Sequence, residues 1–138
     1  MKLPDSARSV LEGSAPAQLV TIEPDGRPQV SLVWIGVRGD EIVAAHPLER
    51  RKVRNIRRDP RVALSVLAGT RNETGLDEYL AIRGQARIAE GGAPQLLQQL
   101  AHVYLGPDVK FPRMENPPPG YITHITAERI GGVGPWAR

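Results

Sequence analysis

Between Arg50 and Arg61 the sequence gathers Arg50, Arg51, Lys52, Arg54, Arg57, Arg58 and Arg61 against a single acid, Asp59. That stretch carries a net +6, so the rest of a chain whose overall charge is +3 sums to −3. A local cluster of this kind reads as an anion site more readily than as a general basic coat. A guanidinium grips two phosphate oxygens at once, and an ammonium acts as a compact charge. Where such groups stand at the start of a helix, unpaired backbone N–H groups and the helix dipole add to the same field. Arg50, Arg51 and Lys52 are therefore the candidates for a phosphate cradle, and Arg57, Arg58 and Arg61 fit a solvated basic face. Spacing alone leaves the solvated-face reading open for the whole run.

Other chemistries find less support. The three histidines, His46, His102 and His124, fall in no metal-ligand spacing, and the absence of cysteine removes disulfides, thiolate nucleophiles and cysteine-ligated metals. No metal site is expected. Neither a Gly-x-Ser-x-Gly elbow nor a phosphate-binding Gly-x-x-x-x-Gly-Lys-Ser/Thr loop is present. Gly131-Gly132-Val133-Gly134 lies too near the C-terminus to open a dinucleotide-binding helix, and a flexible or close-packed tail is expected there. Nucleic acid is the rival use of a basic patch, but aromatics make up only 4% of the chain and no recognition helix is visible. His46 stands out among the histidines because it ends a strand directly before Pro47, where ligands gather, although strand ends also carry polar residues through exposure alone.

The elements that must position these residues are mostly strands. A chain of 138 residues fits one domain, 1–138. Short β-rich runs at 18–23, 28–37, 41–46, 61–68, 77–89 and 121–128 alternate with turn signals such as Pro24-Asp25-Gly26-Arg27 and Arg38-Gly39-Asp40, the pattern of an all-β barrel. In the second run Val30, Leu32 and Trp34 share one face while Gln29, Ser31, Val33 and Ile35 share the other, and both are apolar enough to be covered. Helices are expected at 5–13, at the basic stretch 50–59 with Val53 and Ile56 as its buried stripe, and at 94–106 with Leu96, Leu97, Leu100, Val103 and Tyr104 inward. Gly69 to Gly75 reads as a polar loop, and the proline-rich 107–120 as a stiff loop or lid. No run reaches the roughly 20 apolar residues of a membrane-spanning helix, and the first residues lack the apolar core of a secretory signal, so a cytoplasmic protein without membrane contact is expected.

The segments 19–31 (LVTIEPDGRPQVS), 51–62 (RKVRNIRRDPRV) and 79–86 (YLAIRGQA) together resemble the split-barrel flavin-binding proteins related to pyridoxamine-phosphate oxidase, and more narrowly the branch that binds the deazaflavin F420. The run 104–107 (YLGP) and the run 117–121 (PPPGY) belong to the same resemblance, which spans nearly the whole chain. It implies an α+β, all-β-with-peripheral-helices fold, a six-stranded split barrel of the FMN-binding type, that forms a homodimer with cofactor sites between subunits. It implies that basic residues matching Arg50 and Lys52 hold the cofactor phosphate, with Asn55 near the same helix. The ring pocket would map onto Gln29, Ser31, Val33, Ala45, His46 and Pro47, and Tyr79 and the tail around Pro135 and Trp136 would approach it.

The resemblance implies an F420-dependent oxidoreductase that passes hydride from the reduced deazaflavin to a small unsaturated or electrophilic molecule. The alternatives are an FMN-dependent oxidase or reductase of the same fold and a non-catalytic F420-binding carrier. Extra arginines around the groove favour the longer anion. No obligatory acid or base is evident in the chain, and His46 and Tyr79 are the candidates to protonate the product.

Overall fold

The structure, a computed structural model, describes residues 1–137. The first hairpin forms where Pro24, Asp25 and Gly26 interrupt two strand-forming runs, so that β1 (Ala17–Ile22) and β2 (Pro28–Val33) pair antiparallel. The Glu23 N–H donates to the Arg27 carbonyl at 2.8 Å, and the Arg27 N–H donates to Asp25 Oδ1 at 3.0 Å. Gly26 adopts φ +88°, a left-handed conformation that glycine enters without steric penalty. The turn thereby fixes a register in which Thr21 stands opposite Gln29 and Leu19 opposite Ser31.

The run from Pro28 to Val37 is not one strand but two. β2 stops at Val33, Trp34 and Ile35 turn the chain, and β3 (Gly36–Arg38) begins. β4 (Glu41–His46), α2 (Arg51–Arg58), β5 (Arg61–Arg71), β6 (Asp77–Glu90), α3 (Ala93–Tyr104) and β7 (Tyr121–Val133) follow, with α1 (Asp5–Leu11) ahead of β1 and a single 3-10 turn, Pro135–Ala137, at the end. The strand order is β2-β1-β5-β6-β7-β4-β3. Because β2 and β3 are consecutive in the chain but stand at opposite ends of that order, the sheet curls until its two edges meet at the Trp34-Ile35 link. No ladder joins them, and the barrel is split there. It has seven strands where six were expected, because of this one break. Gly84 lies beside the register shift between β6 and β7, where a Cβ would run into the Thr126 carbonyl oxygen. Glycine there lets the backbones close up and the long strands bend.

Leu19, Ile42, Ala44, Leu64, Val66, Leu80, Ile82 and Ile125 point inward, and Leu3, Ala7 and Leu11 plug one end from the α1 side. Each fully buried leucine or isoleucine contributes about 1.5–3 kcal/mol. α3 lays Leu96 and Leu100 on Val43 and Ile122, across the other face of β4. Trp34 stacks on Tyr104 with ring centroids 5.3 Å apart, and the Tyr104 hydroxyl accepts from the Ile35 N–H at 3.1 Å. The turn at Trp34-Ile35 is therefore held by α3.

Several expectations change. β5 continues to Arg71 through the start of the expected polar loop, and β7 continues to Val133. Gly131 and Gly132 pair with Ala81 and Leu80, so this stretch is sheet and not tail. The proline-rich loop is tied to α3, where Gln98 Nε2 donates to the Val109 carbonyl at 2.8 Å and the Phe111 N–H donates to Gln98 Oε1 at 3.0 Å. It does not line the basic groove. The Val30 and Leu32 face of β2 is left 60% and 66% exposed, because none of the described elements packs on it. Among the described residues no helix is long and apolar enough to cross a membrane.

Candidate functional site

α2 begins where Arg50, in extended conformation, offers its carbonyl to the N–H groups of Val53 and Arg54 at 3.0 and 3.2 Å. Val53 and Ile56 anchor the helix in the barrel end, and Asp59-Pro60 stops it. The N–H groups of Arg51 and Lys52 precede the first intrahelical bonds and point out of the helix start. They open onto a groove of about 550 Å³ lined by Gln29, Leu48, Glu49, Arg50, Arg51, Lys52 and Arg54.

The seven cations of the basic segment are not equivalent. Arg51 pairs with Glu23 at 3.3 Å, Arg57 with Glu49 at 3.2 Å and Glu90 at 3.4 Å, and Arg61 with Asp59 at 2.7 Å. Arg54 donates to the Glu49 carbonyl at 3.0 Å. Arg58 donates to the Ile22 carbonyl and to Asn55 Oδ1. Arg57, Arg58 and Arg61 are exposed, as a solvated basic face requires, and each is also held by a partner of its own fold. Among the described residues, Arg50 and Lys52 have no carboxylate within salt-bridge distance. Burial, and then the Arg50 cation beside it, both lower the pKa of the Lys52 ammonium. Two cations crowded together without a counter-charge favour an anion between them.

Gln29 forms the opposite wall. Its Oε1 accepts from the Thr21 hydroxyl at 2.9 Å, and Thr21 Oγ1 accepts from Asn55 Nδ2 at 3.1 Å. Asn55 is 2% exposed, so it stands behind the groove and braces it. Ser31, next along the same face of β2, has a buried hydroxyl oxygen with no partner among the described residues. Val33, further along that face, is buried in the barrel core.

His46 also points inward, on the face of β4 that carries Ile42 and Ala44. It is 3% exposed, and its Nε2 lies 2.7 Å from the Thr123 hydroxyl. Burial, and then the positive charge of Lys52, pull its pKa down to about 4. It is neutral at physiological pH and has little proton to give. Ala45 turns to the opposite face, beneath α3 and next to Val43. Pro47 starts the link to α2.

Tyr79 and Trp136 are elsewhere in the chain. Tyr79 lies near the start of β6, its carbonyl accepting from Trp136 Nε1 at 3.0 Å, while α2 meets the other end of that strand through Arg57 and Glu90. Tyr79 and Glu90 stand eleven positions apart along the strand, a run of roughly 35 Å. The structure therefore brings Gln29, Arg50, Arg51 and Lys52 together, sets Asn55 behind them through Thr21 and His46 within the field of Lys52, turns Ser31 and Val33 inward farther along β2, and leaves Ala45, Tyr79 and Trp136 apart. Thr21 and Arg58 are the additions. Thr21 was legible through the hairpin register, which places it opposite Gln29.

The family described as Pyridoxamine 5'-phosphate oxidase matches residues 3–134. A solved structure described as "F420 Reductase" superposes with TM-score 0.75 at 28% identity, covering 94% of this chain and 98% of its own. The conserved hypothetical protein Rv2991 from Mycobacterium tuberculosis superposes with TM-score 0.73 at 24% identity, over 96% of this chain and 84% of its own. HupZ of Group A Streptococcus does so with TM-score 0.68 at 16% identity, over 99% and 98%. These last two share the fold. No curated protein matches the sequence.

Proposed function

Because this chain belongs to the pyridoxamine 5'-phosphate oxidase family, we propose that the groove at the head of α2 holds the phosphate of the deazaflavin F420 and that the protein is an F420-dependent oxidoreductase. Its substrate would be a small unsaturated or electrophilic molecule. The observation that carries this reading is the pair Arg50 and Lys52, left without carboxylates beside Gln29 while the neighbouring cations are bracketed. The 28% identical structure described as F420 Reductase favours the deazaflavin over FMN.

The residues present fit such a group. Arg50 and Lys52 would hold the phosphoryl oxygens, assisted by the N–H groups at the helix start. The partnerless Ser31 hydroxyl lies on the wall that Gln29 begins, and a buried hydroxyl left unpaired costs about 1–3 kcal/mol, so a polar ligand atom in reach would be favoured. When bound, the cofactor supplies the hydride chemistry. The chain supplies position and a partly dry wall, and His46, neutral and engaged with Thr123, acts as part of that wall and not as proton donor.

The exposed face of Val30, Leu32, Leu67 and Tyr79 is an apolar patch on a sheet that its own chain does not cover. A second copy seated there would complete a homodimer with sites between subunits, and would explain why Tyr79 lies so far from Lys52 in one chain. Leu32→Glu is expected to weaken the dimer at least about tenfold and to lower cofactor affinity with it. Light scattering across a concentration series checks the first part, and an unaltered dimer would refute this use of the face.

The function itself is tested by following oxidation of reduced F420 with a panel of enones, quinones and nitro compounds, alongside reduced FMN. Turnover with reduced F420 supports the proposal. Turnover with FMN alone would make the protein an FMN enzyme, and tight F420 binding without turnover on any substrate would make it a carrier.

A further inference from the structure

Arg58, Asn55, Thr21 and Gln29 form a chain of hydrogen bonds that runs from the back of α2 to the groove. Arg58 Nη1 and Nη2 each lie 3.4 Å from Asn55 Oδ1, Asn55 Nδ2 lies 3.1 Å from Thr21 Oγ1, and Thr21 Oγ1 lies 2.9 Å from Gln29 Oε1. The direction of this chain is fixed at its far end. A guanidinium has donors and no acceptor, so the atom of Asn55 that faces it must be the oxygen. The amide nitrogen then faces Thr21 and donates, and the Thr21 hydroxyl accepts it. Thr21 is fully buried, and its own proton has one acceptor in reach, which is Gln29. The reverse arrangement, with Gln29 donating, would leave that hydroxyl proton buried and unpaired. Gln29 is thus committed to accept at Oε1. Its Nε2 makes only a long contact of 3.4 Å to the Val30 carbonyl. The amide protons remain for the groove.

We infer that Arg58, Asn55 and Thr21 are positioning residues that lock Gln29 as a hydrogen-bond donor toward the groove, so that Gln29 adds an oriented amide donor to the Arg50 and Lys52 cations and selects ligands that present phosphoryl or carbonyl oxygens. The inference rests on the groove being the phosphate site, and it gives that site a specificity that charge alone does not. A wall of cations attracts any anion, whereas a donor-locked amide rejects a ligand that presents N–H at the same point, because two donors would then be left facing each other. It also gives Arg58 a part in recognition from a position outside the groove.

The test uses the full chain with F420 and FMN as probes, each variant titrated at a temperature where circular dichroism shows it folded. Thr21→Val, which keeps the shape and removes the hydroxyl, is expected to weaken binding about tenfold, the loss of one oriented bond to a charged ligand, and Thr21→Ser to restore it. Arg58→Met reads the chain from its other end without touching a buried residue, and is expected to weaken binding about threefold. In a Gln29→Met background neither change should weaken binding further, whereas a merely structural role would persist there. Unchanged affinity in Thr21→Val and Arg58→Met, or equal losses with and without Gln29, would overturn the inference. If Lys52→Ala leaves the affinity intact, the phosphate reading fails, and the chain is judged by the Gln29 side-chain amide signal in nitrogen–proton correlation spectra. Movement of that signal in Thr21→Val and its return in Thr21→Ser uphold the lock, and an unmoved signal refutes it.

Discussion

Lys52→Ala raises the dissociation constant for F420 about ten- to a hundredfold, the loss of one charge-assisted contact worth about 1.5–3 kcal/mol. Lys52 is expected to have this effect, and not Arg57 or Arg61, because those arginines are already matched by Glu49, Glu90 and Asp59. Lys52 sits half-buried beside Arg50, where burial and like charge both disfavour its ammonium form. An incoming phosphate supplies the counter-charge that both cations lack, so the interaction strengthens on binding and not before. Arg61→Ala serves as the matched control and is expected to change the affinity less than about twofold, the scale on which exposed pairs act. Fluorescence titration of the two variants and the wild-type chain separates a local site from a diffuse field, since a diffuse field would make the two substitutions equivalent.

Acid destabilises the protein through His46. Its pKa is about 4 when folded and near 6.5 when unfolded, so between those values the unfolded chain binds the extra proton. The contribution of a neutral His46 is therefore fully present above pH 6.5 and is lost as the pH falls from 6.5 through 4. A shift of this size corresponds to about 3 kcal/mol, and His46 is too deeply buried for solvent to screen much of it. His46→Gln keeps a side-chain partner for the Thr123 hydroxyl and removes the titration. Urea unfolding at pH 7.5 and at pH 4 is expected to show the wild-type chain losing about 3 kcal/mol more than His46→Gln, and equal losses in the two proteins would show that His46 is not held neutral.

Much of this was legible in the sequence, because the strongest signals are local. The Asp25-Gly26 turn specified both the first hairpin and its register, and Val53, Ile56 and Asp59-Pro60 marked out α2 to within a residue at either end. β6 was recognised to within a residue, and β7 was recognised by type but ended at Glu128, because glycines that serve close backbone approach look the same in sequence as glycines of a loop. The break at Trp34-Ile35 was hidden, because it is imposed by Tyr104, about seventy residues away, and apolar alternation continues straight through it.

For the groove, residue type indicated a positively charged helix start but could not tell which cations would remain unmatched. Arg50 and Lys52 are set apart by where Glu23, Glu49, Glu90 and Asp59 fall in three dimensions and by the Glu49 and Ile22 carbonyls that hold Arg54 and Arg58, and three of those four acids lie outside the basic stretch. Ala45 was grouped with His46 by proximity in the chain, although alternation along β4 sends the two side chains to opposite faces. Tyr79 was grouped with the site by resemblance, and within one chain the length of β6 keeps it away.

The most direct measurement is a crystal of this protein grown with F420. The cofactor phosphate is expected at the head of α2, within hydrogen-bonding reach of Lys52 Nζ and the Arg50 guanidinium. A phosphate bound elsewhere, with neither side chain within reach of it, would contradict this assignment.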